Sequence, residues 1–297
     1  VLIQQGFTMT KANSIKGIAV SLMIGALIIL AGSQGSIQLQ GLPLFLICGA
    51  IGFVLHWAVF APSYAFQTEH YFDLTGSISY ITTVIAALLL NPTLDIRDII
   101  IAAMIGIWAL RLGSFLFWRI KKDGQDKRFI QMKTQFLWFL MTWTLGGLWV
   151  LVTMAAGLAA LTSDTSAPLG VLGYLGIALW IAGMAIEVAA DSQKTEFRKD
   201  PANRDRFITT GIWAWSRHPN YFGEITLWLG LALLALPVLS GWQLATMISP
   251  IFVYVLLTKI SGIPLLERLA EKKWGDDPEF RAYTDSTPAL MLRRPKQ

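Results

Sequence analysis

The chain has few charged residues for its length. Only 14% of its 297 residues are Asp, Glu, Lys or Arg, whereas a typical soluble domain has about 25%. So little charge excludes an ordinary water-soluble globular protein. The one cysteine, Cys48, excludes a disulfide within the chain and a cysteine-cluster metal site. The three histidines, His56, His70 and His218, lie far apart and give no zinc spacing, so no metal site is predicted.

Two common nucleotide-binding motifs are also missing. The sequence contains neither GxGxxG nor GxxxxGK[ST], which excludes the usual soluble folds that hold phosphates in glycine-rich loops. The basic residues alternate with the apolar segments and form no single patch, so no nucleic-acid partner is expected. A nucleotide cofactor would therefore need a different kind of site.

Long apolar runs dominate what is present, since 54% of the residues are hydrophobic. A membrane-spanning helix needs roughly 20 apolar residues, and lipid-exposed backbone must satisfy its own hydrogen bonds, which favours helices. We therefore predict an all-α protein, a polytopic integral membrane helical bundle with seven or eight transmembrane helices. The apolar segments are 17–32, 42–65, 77–91, 98–118, 136–161, 168–190, 222–238 and 243–266.

We expect a single membrane domain over residues 17–297, whose C-terminal half, from about residue 100, binds the cofactor. Residues 1–16 form a polar N-terminal segment, and the residues ahead of Met9 are interpreted as partly foreign to the protein. The positive charges fall in alternate linkers, which places both termini in the cytoplasm by the positive-inside rule. One linker on the predicted cytoplasmic side departs from this pattern, because residues 64–76 carry Glu69, His70 and Asp73 but no Lys or Arg.

Two helical stripes of charged residues lie within or at the end of apolar segments. Arg111 and Arg119 are eight residues apart on one face with Phe115 between them. A second stripe recurs at helical spacing and comprises Glu187, Asp191, Lys194 and Arg198. Ionisable groups at membrane depth are costly and line cavities or pair with each other. Two interpretations stay open, namely structural ion pairs between the stripes and a polar cofactor pocket between helices.

The stretch "SRHPNYFGE" at 216–224 gathers hydrogen-bonding groups at the start of an apolar segment. Pro219 can open a helix, which places Asn220 and Glu224 four residues apart on one face, as are Arg217 and Tyr221. One interpretation is structural, with Asn220 as a helix cap and Arg217 as an anchor to lipid headgroups. The other is a ligand site that also uses His218.

Residues 210–230, "TGIWAWSRHPNYFGEITLWLG", resemble the C-terminal signature of the membrane steroid 5-alpha-reductase family and its bacterial relatives. The preceding "ADSQKTEFRKD" at 190–200 is similar to the Asp-containing segment of that family, and "RLGSFLFWRIKKDGQDKRF" at 111–129 resembles the bacterial branch. The likeness covers roughly residues 100–290. The Arg-His-Pro triplet also occurs in isoprenylcysteine carboxyl methyltransferases, and sterol reductases carry a similar Asn-Tyr-x-Gly element, but the Asn-Tyr-Phe-Gly-Glu continuation favours the reductases.

This resemblance implies NADPH as the cofactor. It implies that Asn220 and Glu224 hold the nicotinamide end, that Asp191 and Arg198 contact the nucleotide, and that Tyr283 belongs to a tail closing over the cofactor. The remaining predicted cofactor residues are Arg111, Arg119, Asp126, Arg128, Glu187, Lys194, Arg217, His218 and Tyr221.

The resemblance further implies reduction of a carbon–carbon double bond conjugated to a ketone, in a lipid-soluble substrate such as a 3-oxo-4-ene steroid. A hydrogen-bond donor must stabilise the charge that develops on the ketone oxygen. Animal members use an adjacent Gln-Glu pair, and here the nearest equivalent is Gln67-Thr68-Glu69, which is not adjacent. We predict Glu69, Asp73 and Tyr71 as catalytic residues, with Tyr64 and Tyr80 as alternatives.

Two other functions stay open from the sequence. One is an S-adenosylmethionine-dependent methyltransferase of the isoprenylcysteine type acting on a carboxyl group or a thiol, and the other is a non-catalytic lipid-binding or scaffold protein. For the reductase we expect a monomer in the bacterial inner membrane, in contact with membrane lipids, whose substrate enters laterally from the bilayer.

Overall fold

The computed structural model describes residues 9–123 and 129–294, with residues 119–123 described by their backbone alone. Within these ranges the chain is almost entirely helical, and one hairpin joins β1 (Gln38–Leu39) to β2 (Leu42–Pro43). The α-helices are α1 (Lys11–Ser33), α2 (Leu44–Ala65), α3 (Phe72–Leu90), α4 (Ile96–Asp123), α5 (Phe136–Leu161), α6 (Gly170–Lys199), α7 (Pro219–Ala235), α8 (Ile248–Val255), α9 (Ile263–Trp274) and α10 (Pro278–Ser286).

Eight helical segments of the described chain are long and apolar enough to cross a membrane, which confirms the predicted all-α membrane fold. The helices α1 and α3 begin at least five residues ahead of their predicted apolar segments, at Lys11 and Phe72, and α6 continues past its predicted segment to Lys199. The last segment is broken: α8 passes into a π-helical turn at Leu256–Ile260, and α9 starts only at Ile263. Gly262 allows this break, since a Cβ there would collide with the carbonyl oxygen of Leu257.

The chain divides into two compact units, Val1–Leu169 with Ala235–Ile248, and Gly170–Leu234 with Ser249–Gln297. In the first unit α5 is the central helix and packs against α1, α2, α3 and α4. Its second half is buried at every residue from Val150 to Leu161. Apolar side chains on every face fit such a surrounded helix.

In the second unit, α6 and α7 touch through their backbones. A Cβ added to Gly183 would lie 2.5 Å from the carbonyl oxygen of Gly223, and one added to Gly176 would lie 2.5 Å from that of Gly230. The two glycines of each helix are seven residues apart and therefore lie on one face. Small residues allow this close approach, which is typical of helix pairs in membranes.

The length of α6 explains the charged residues at its end. Its 30 residues span about 45 Å at 1.5 Å per residue, whereas the hydrocarbon core of a bilayer is about 30 Å thick. About 15 Å, or ten residues, therefore extends past the apolar part of the helix. Asp191, Lys194 and Arg198 belong to this extension.

Candidate functional site

Trp213 fixes the segment before α7 onto the charged end of α6. Its indole nitrogen donates a 3.0 Å hydrogen bond to the carbonyl of Ala190, and the Lys194 ammonium lies 4.5 Å from the centre of its ring. Its own carbonyl accepts a 2.7 Å hydrogen bond from the hydroxyl of Tyr283. Trp213 thus joins α6, the short helical turn at Gly211–Ala214 and α10 at one point.

Gly211 opens that turn in a conformation that few other residues adopt. Its φ is +61°, and a Cβ there would collide with the side-chain oxygen of Gln193. The same oxygen accepts a 3.0 Å hydrogen bond from the backbone nitrogen of Ile212. A glycine is therefore required by both the backbone angle and the space beside Gln193.

The helix α7 begins at Pro219, as predicted. The Ser216 hydroxyl accepts a 3.2 Å hydrogen bond from the backbone nitrogen of His218 just ahead of it. Asn220 lies inside the first turn and not at the cap, so the interpretation of Asn220 as a helix cap is wrong. Its half-buried side chain makes no hydrogen bond with any other described residue, which leaves both its amide donor and its acceptor unused there.

The contacts of Arg217 lie within the protein, unlike those expected of a side chain that anchors to lipid headgroups. Its Nη1 donates a 2.7 Å hydrogen bond to the carbonyl of Thr284, and its Nη2 lies 2.6 Å from the Glu267 carboxylate of α9. Its backbone nitrogen donates to the carbonyl of Pro288 at 2.9 Å. The Nε atom is buried and has no hydrogen-bond partner among the described residues.

His218 is a buried, neutral ring beside positive charge. Burial, followed by the charges of Lys194 and Arg217, lowers its pKa to about 3. The 3.5 Å approach of its Nε2 to Glu267 is therefore not an ion pair at neutral pH. This Nε2 atom is buried without a hydrogen-bond partner in the described chain, and the ring stacks on Tyr221 with 5.6 Å between the ring centres.

The segment after α10 runs alongside the residues that precede α7. Ser216 donates a 2.9 Å hydrogen bond to the carbonyl of Leu290, and the backbone nitrogen of Arg293 donates to the carbonyl of Trp215 at 2.9 Å. Burial raises the pKa of Tyr283 to about 12, so its hydroxyl keeps the proton that it donates to Trp213. The predicted tail element thus holds the signature segment directly.

The other predicted cofactor residues of the second unit lie on α6 and α7. Glu187 is buried at the α6–α7 contact, where its backbone nitrogen would be 2.7 Å from a Cβ on Gly223. Asp191 and Glu224 are half-buried, and Arg198 is exposed. Their cofactor roles stay predictions.

In the first unit the structure explains the acidic linker between α2 and α3. The Glu69 carboxylate is buried and lies 2.7 Å from the ammonium of Lys133, which belongs to the next cationic linker. Asp73 is in the first turn of α3, and Tyr71 is exposed just ahead of it. The excess negative charge of the linker is therefore partly balanced by a cation that is distant in sequence.

The two alternative tyrosines lie in aromatic surroundings. Tyr64 packs against Phe60 and Phe136, and Tyr80 packs edge to face on Trp108. Arg111 is half-buried on α4. The side chains of Arg119, Asp126 and Arg128 lie outside the described residues, so their predicted roles are not tested. Of the side chains that the structure describes, no three of His, Cys, Asp or Glu group as a metal site.

Sequence reasoning missed Glu267 and the four glycines of the α6–α7 contact. The glycines could have been recognised from the sequence, because Gly176 and Gly183 are seven residues apart, as are Gly223 and Gly230. This spacing predicts a face of small residues on each helix. Glu267 had none, because it lies in the polar stretch "LLERLAEKKW" of α9, which is typical of a solvated helix.

Comparison with known proteins agrees with the resemblance seen in the motifs. A family model described as "Protein of unknown function (DUF1295)" matches residues 59–287. A 3-oxo-5-alpha-steroid 4-dehydrogenase 1 from Bos taurus is 30% identical over 107 residues, which are 36% of this chain and 38% of that protein. A protein of the same name from Rattus norvegicus is 31% identical over 106 residues, again 36% of this chain and 38% of that protein. No solved structure matches.

The chain therefore spans well under half the length of these curated relatives, while the family model covers most of the chain. The predicted resemblance to steroid 5-alpha-reductases is confirmed by both. The chain belongs to the DUF1295 family of membrane proteins that are similar to steroid 5-alpha-reductases.

Proposed function

We propose that the chain is an NADPH-dependent reductase of the carbon–carbon double bond of a conjugated enone, with a 3-oxo-4-ene steroid as the substrate class. The observation that carries the proposal is the pair of buried nitrogen atoms, Arg217 Nε and His218 Nε2, that lack hydrogen-bond partners in the described chain. Such atoms are costly to bury unless a ligand or water satisfies them. The similarity to two steroid dehydrogenases favours an oxidoreductase among the candidates.

The residues around this pair fit a phosphorylated, hydrogen-bonding cofactor. Burial lowers the pKa of His218 most, and the positive charges of Lys194 and Arg217 lower it further; the same positive field attracts phosphate groups. We assign Asp191 and Arg198 to the nucleotide portion. When bound, NADPH supplies the hydride that reduces the double bond.

Asn220 and Glu224 hold the reactive end of the cofactor in this proposal. They are four residues apart on α7 and therefore share one face. The unused amide of Asn220 can donate and accept at once, which suits a carboxamide group. Fixing that group orients the ring against the substrate, and orientation contributes several kcal/mol to such transfers.

The substrate end belongs to the segment that contains Glu69, Tyr71 and Asp73. The Glu69 carboxylate is already engaged by the ammonium of Lys133 at 2.7 Å, whereas Tyr71 is exposed and its hydroxyl can donate a hydrogen bond. The donor to the ketone oxygen in this proposal is therefore the hydroxyl of Tyr71. Glu69 positions the segment, and Asp73 completes the polar surface beside it.

The membrane supplies the route for the substrate. An apolar steroid partitions into the bilayer, and we propose that it enters laterally between helices. We further propose that the protein acts as a monomer in a bacterial inner membrane with both termini in the cytoplasm, as the alternation of charge predicts.

The test is a cofactor panel on the purified full chain in lipid nanodiscs. Thermal stabilisation by NADPH, NADH and S-adenosylmethionine is compared, and reduction of testosterone is followed by the loss of NADPH absorbance. We expect stabilisation by NADPH and turnover. Stabilisation by S-adenosylmethionine alone would make the protein a methyltransferase, and no response to any of the three would leave a lipid-binding or scaffold protein.

Two variants test whether the proposed residues bind the NADPH detected in the cofactor panel. Asn220→Ala and Asp191→Ala should weaken NADPH binding ten- to a hundred-fold, since each loses a contact of roughly 1.5–3 kcal/mol. Asp285→Ala is the matched control, because Asp285 is an exposed carboxylate on α10. If both site variants bind NADPH like the control, the assignment of Asn220 and Asp191 is wrong.

A further inference from the structure

The helix α9 has one exposed face that combines leucines with positive charge. Leu265, Arg268, Leu269 and Lys272 recur at i, i+3, i+4 and i+7, which places them on one face, and all four side chains are exposed. A helix that lies in the interface of a membrane has this combination, with its apolar side chains in the acyl region and its Lys and Arg at the headgroups. We call these four residues the outer face of α9.

The opposite face of α9 is occupied by the protein. Its Glu267 carboxylate lies 2.6 Å from Arg217, and the indole nitrogen of Trp274 donates a 2.7 Å hydrogen bond to the carbonyl of Asp205. The Trp274 ring also packs against Phe280 of α10. These contacts fix the rotation of α9 about its axis, so the outer face points away from the residues that the helix packs against.

The position of α9 along the chain places it at a membrane surface. The helical stretches Gly241–Met247, Ile248–Val255 and Leu256–Ile260 follow one another and have 7, 8 and 5 residues, which together suffice for one crossing of about 20 residues. Gly262 then has a ψ of −95°, far from the helical value of about −42°, so α9 does not continue the axis of the crossing. It therefore begins just past the membrane, on the predicted cytoplasmic side.

The cations of the outer face are available to a partner. Arg268 and Lys272 make no hydrogen bond or ion pair with any other described residue. Lys273 differs, because its ammonium lies 3.1 Å from the carboxylate of Asp205. The exposed carboxylate of Glu271 lies toward the side of α9 that carries Glu267, four residues before it. The outer face itself therefore has only positive charge.

We propose that the outer face of α9 binds the headgroups of anionic phospholipids in the bilayer that holds the protein. Arg268 and Lys272 contact the negatively charged headgroups, while Leu265 and Leu269 enter the acyl region beside them. A zwitterionic lipid has no net charge for the two cations, so the face selects anionic lipid. The inference does not depend on the proposed function, because it needs neither the cofactor nor the substrate.

The test measures hydrogen–deuterium exchange of the backbone amides of α9 in the full chain. The protein is placed in nanodiscs of phosphatidylcholine, with and without phosphatidylglycerol. We expect exchange in α9 to be about ten- to thirtyfold slower when phosphatidylglycerol is present, since two cations at about 1 kcal/mol each predict a factor of this size. The difference should shrink at high salt, which screens exposed charges.

Variants of exposed side chains assign the effect to this face. Arg268→Gln combined with Lys272→Gln should remove the dependence on phosphatidylglycerol, whereas Arg268→Lys keeps the charge and should retain it. The matched control is Lys11→Gln combined with Lys16→Gln, which removes the same charge from exposed positions of α1. This control should leave the exchange of α9 as dependent on phosphatidylglycerol as it is in the wild type.

Three results would overturn the inference. The first is equal exchange of α9 in the two kinds of nanodisc. The second is an unchanged dependence on phosphatidylglycerol in the variant that lacks both Arg268 and Lys272, which would place the lipid elsewhere. The third is an equal slowing by inorganic phosphate added to phosphatidylcholine nanodiscs, which would make the face a site for a soluble anion.

Discussion

Arg217 and Glu267 lie 2.6 Å apart and join the segment before α7 to α9. The same guanidinium reaches the carbonyl of Thr284 with its other terminal nitrogen. The two contacts use separate terminal nitrogens of one planar group, whereas a lysine offers a single nitrogen. Arg217 therefore joins the segment before α7 to α9 and to the residues that end α10, in addition to supplying charge.

Arg217→Lys should separate these two contributions. The charge is kept, but one ammonium nitrogen cannot occupy the positions of both Nη1 and Nη2, so at least one of the contacts to Thr284 and Glu267 lengthens. We expect about tenfold weaker NADPH binding and faster proteolysis of residues 284–293. Arg268→Lys, on the exposed face of α9, is the control. If the two variants have the same NADPH affinity and the same digestion rate, the guanidinium geometry is not required.

His218 should make the protein sensitive to acid. Its pKa is about 3 in the folded chain, against an ordinary value of 6.5, so the unfolded chain takes up the proton first as pH falls. Its contribution to stability is therefore complete above about pH 6.5 and declines as the pH drops toward about 3, by about 2 kcal/mol at pH 5. Unfolding temperatures of the wild type and His218→Gln measured from pH 8 to 4 check this. A parallel decline in both proteins would contradict it.

The glycine contact between α6 and α7 should tolerate no side chain. Gly183→Ala places a methyl group 2.5 Å from the carbonyl oxygen of Gly223, and we expect a loss of about 1–3 kcal/mol through forced separation of the backbones. Gly106→Ala on α4 is the control, because nothing lies within 4 Å of a Cβ there, and it should be neutral or stabilising. Thermal unfolding followed by tryptophan fluorescence compares the two. Equal stability would show that the helices can move apart freely.

Glu69 and Lys133 should behave as a pair. Lys133→Met leaves the carboxylate of Glu69 buried without this cation and should cost about 3 kcal/mol or more. Glu69→Gln combined with Lys133→Met should recover much of that loss. A double variant as unstable as Lys133→Met would show that the two side chains do not depend on each other.

The sequence predicted the helices better than their ends. Apolar runs of about 20 residues specify a membrane helix through their composition alone, so the sequence predicted seven or eight crossings. The interruption between Leu256 and Ile263 could not be predicted, because apolar residues on both sides of it hide the conformational effect of Gly262 and Pro264.

The site was predictable where polar groups stand out from an apolar background. Arg217 and His218 were found for this reason, whereas Glu267 is one charge among many in a polar helix. The partner of Glu69 could not be predicted either. Lys133 is 64 residues away along the chain, and only the packing of α2, α3 and α5 brings the two together.

The bonds between the tail and residues 215–217 have a consequence for how the sequence can vary. Arg217 and Ser216 donate to the main-chain carbonyls of Thr284, Pro288 and Leu290, and every amino acid offers that carbonyl. Substitutions at the exposed positions of this tail, such as Asp285 and Met291, would therefore be tolerated as long as the chain follows the same path. A one-residue insertion or deletion would shift the whole register and misalign all of these contacts together. The length of the tail is therefore more strongly constrained than the identity of its exposed residues. A chimera that exchanges only those exposed side chains should retain the hydrogen bonds to residues 215–217.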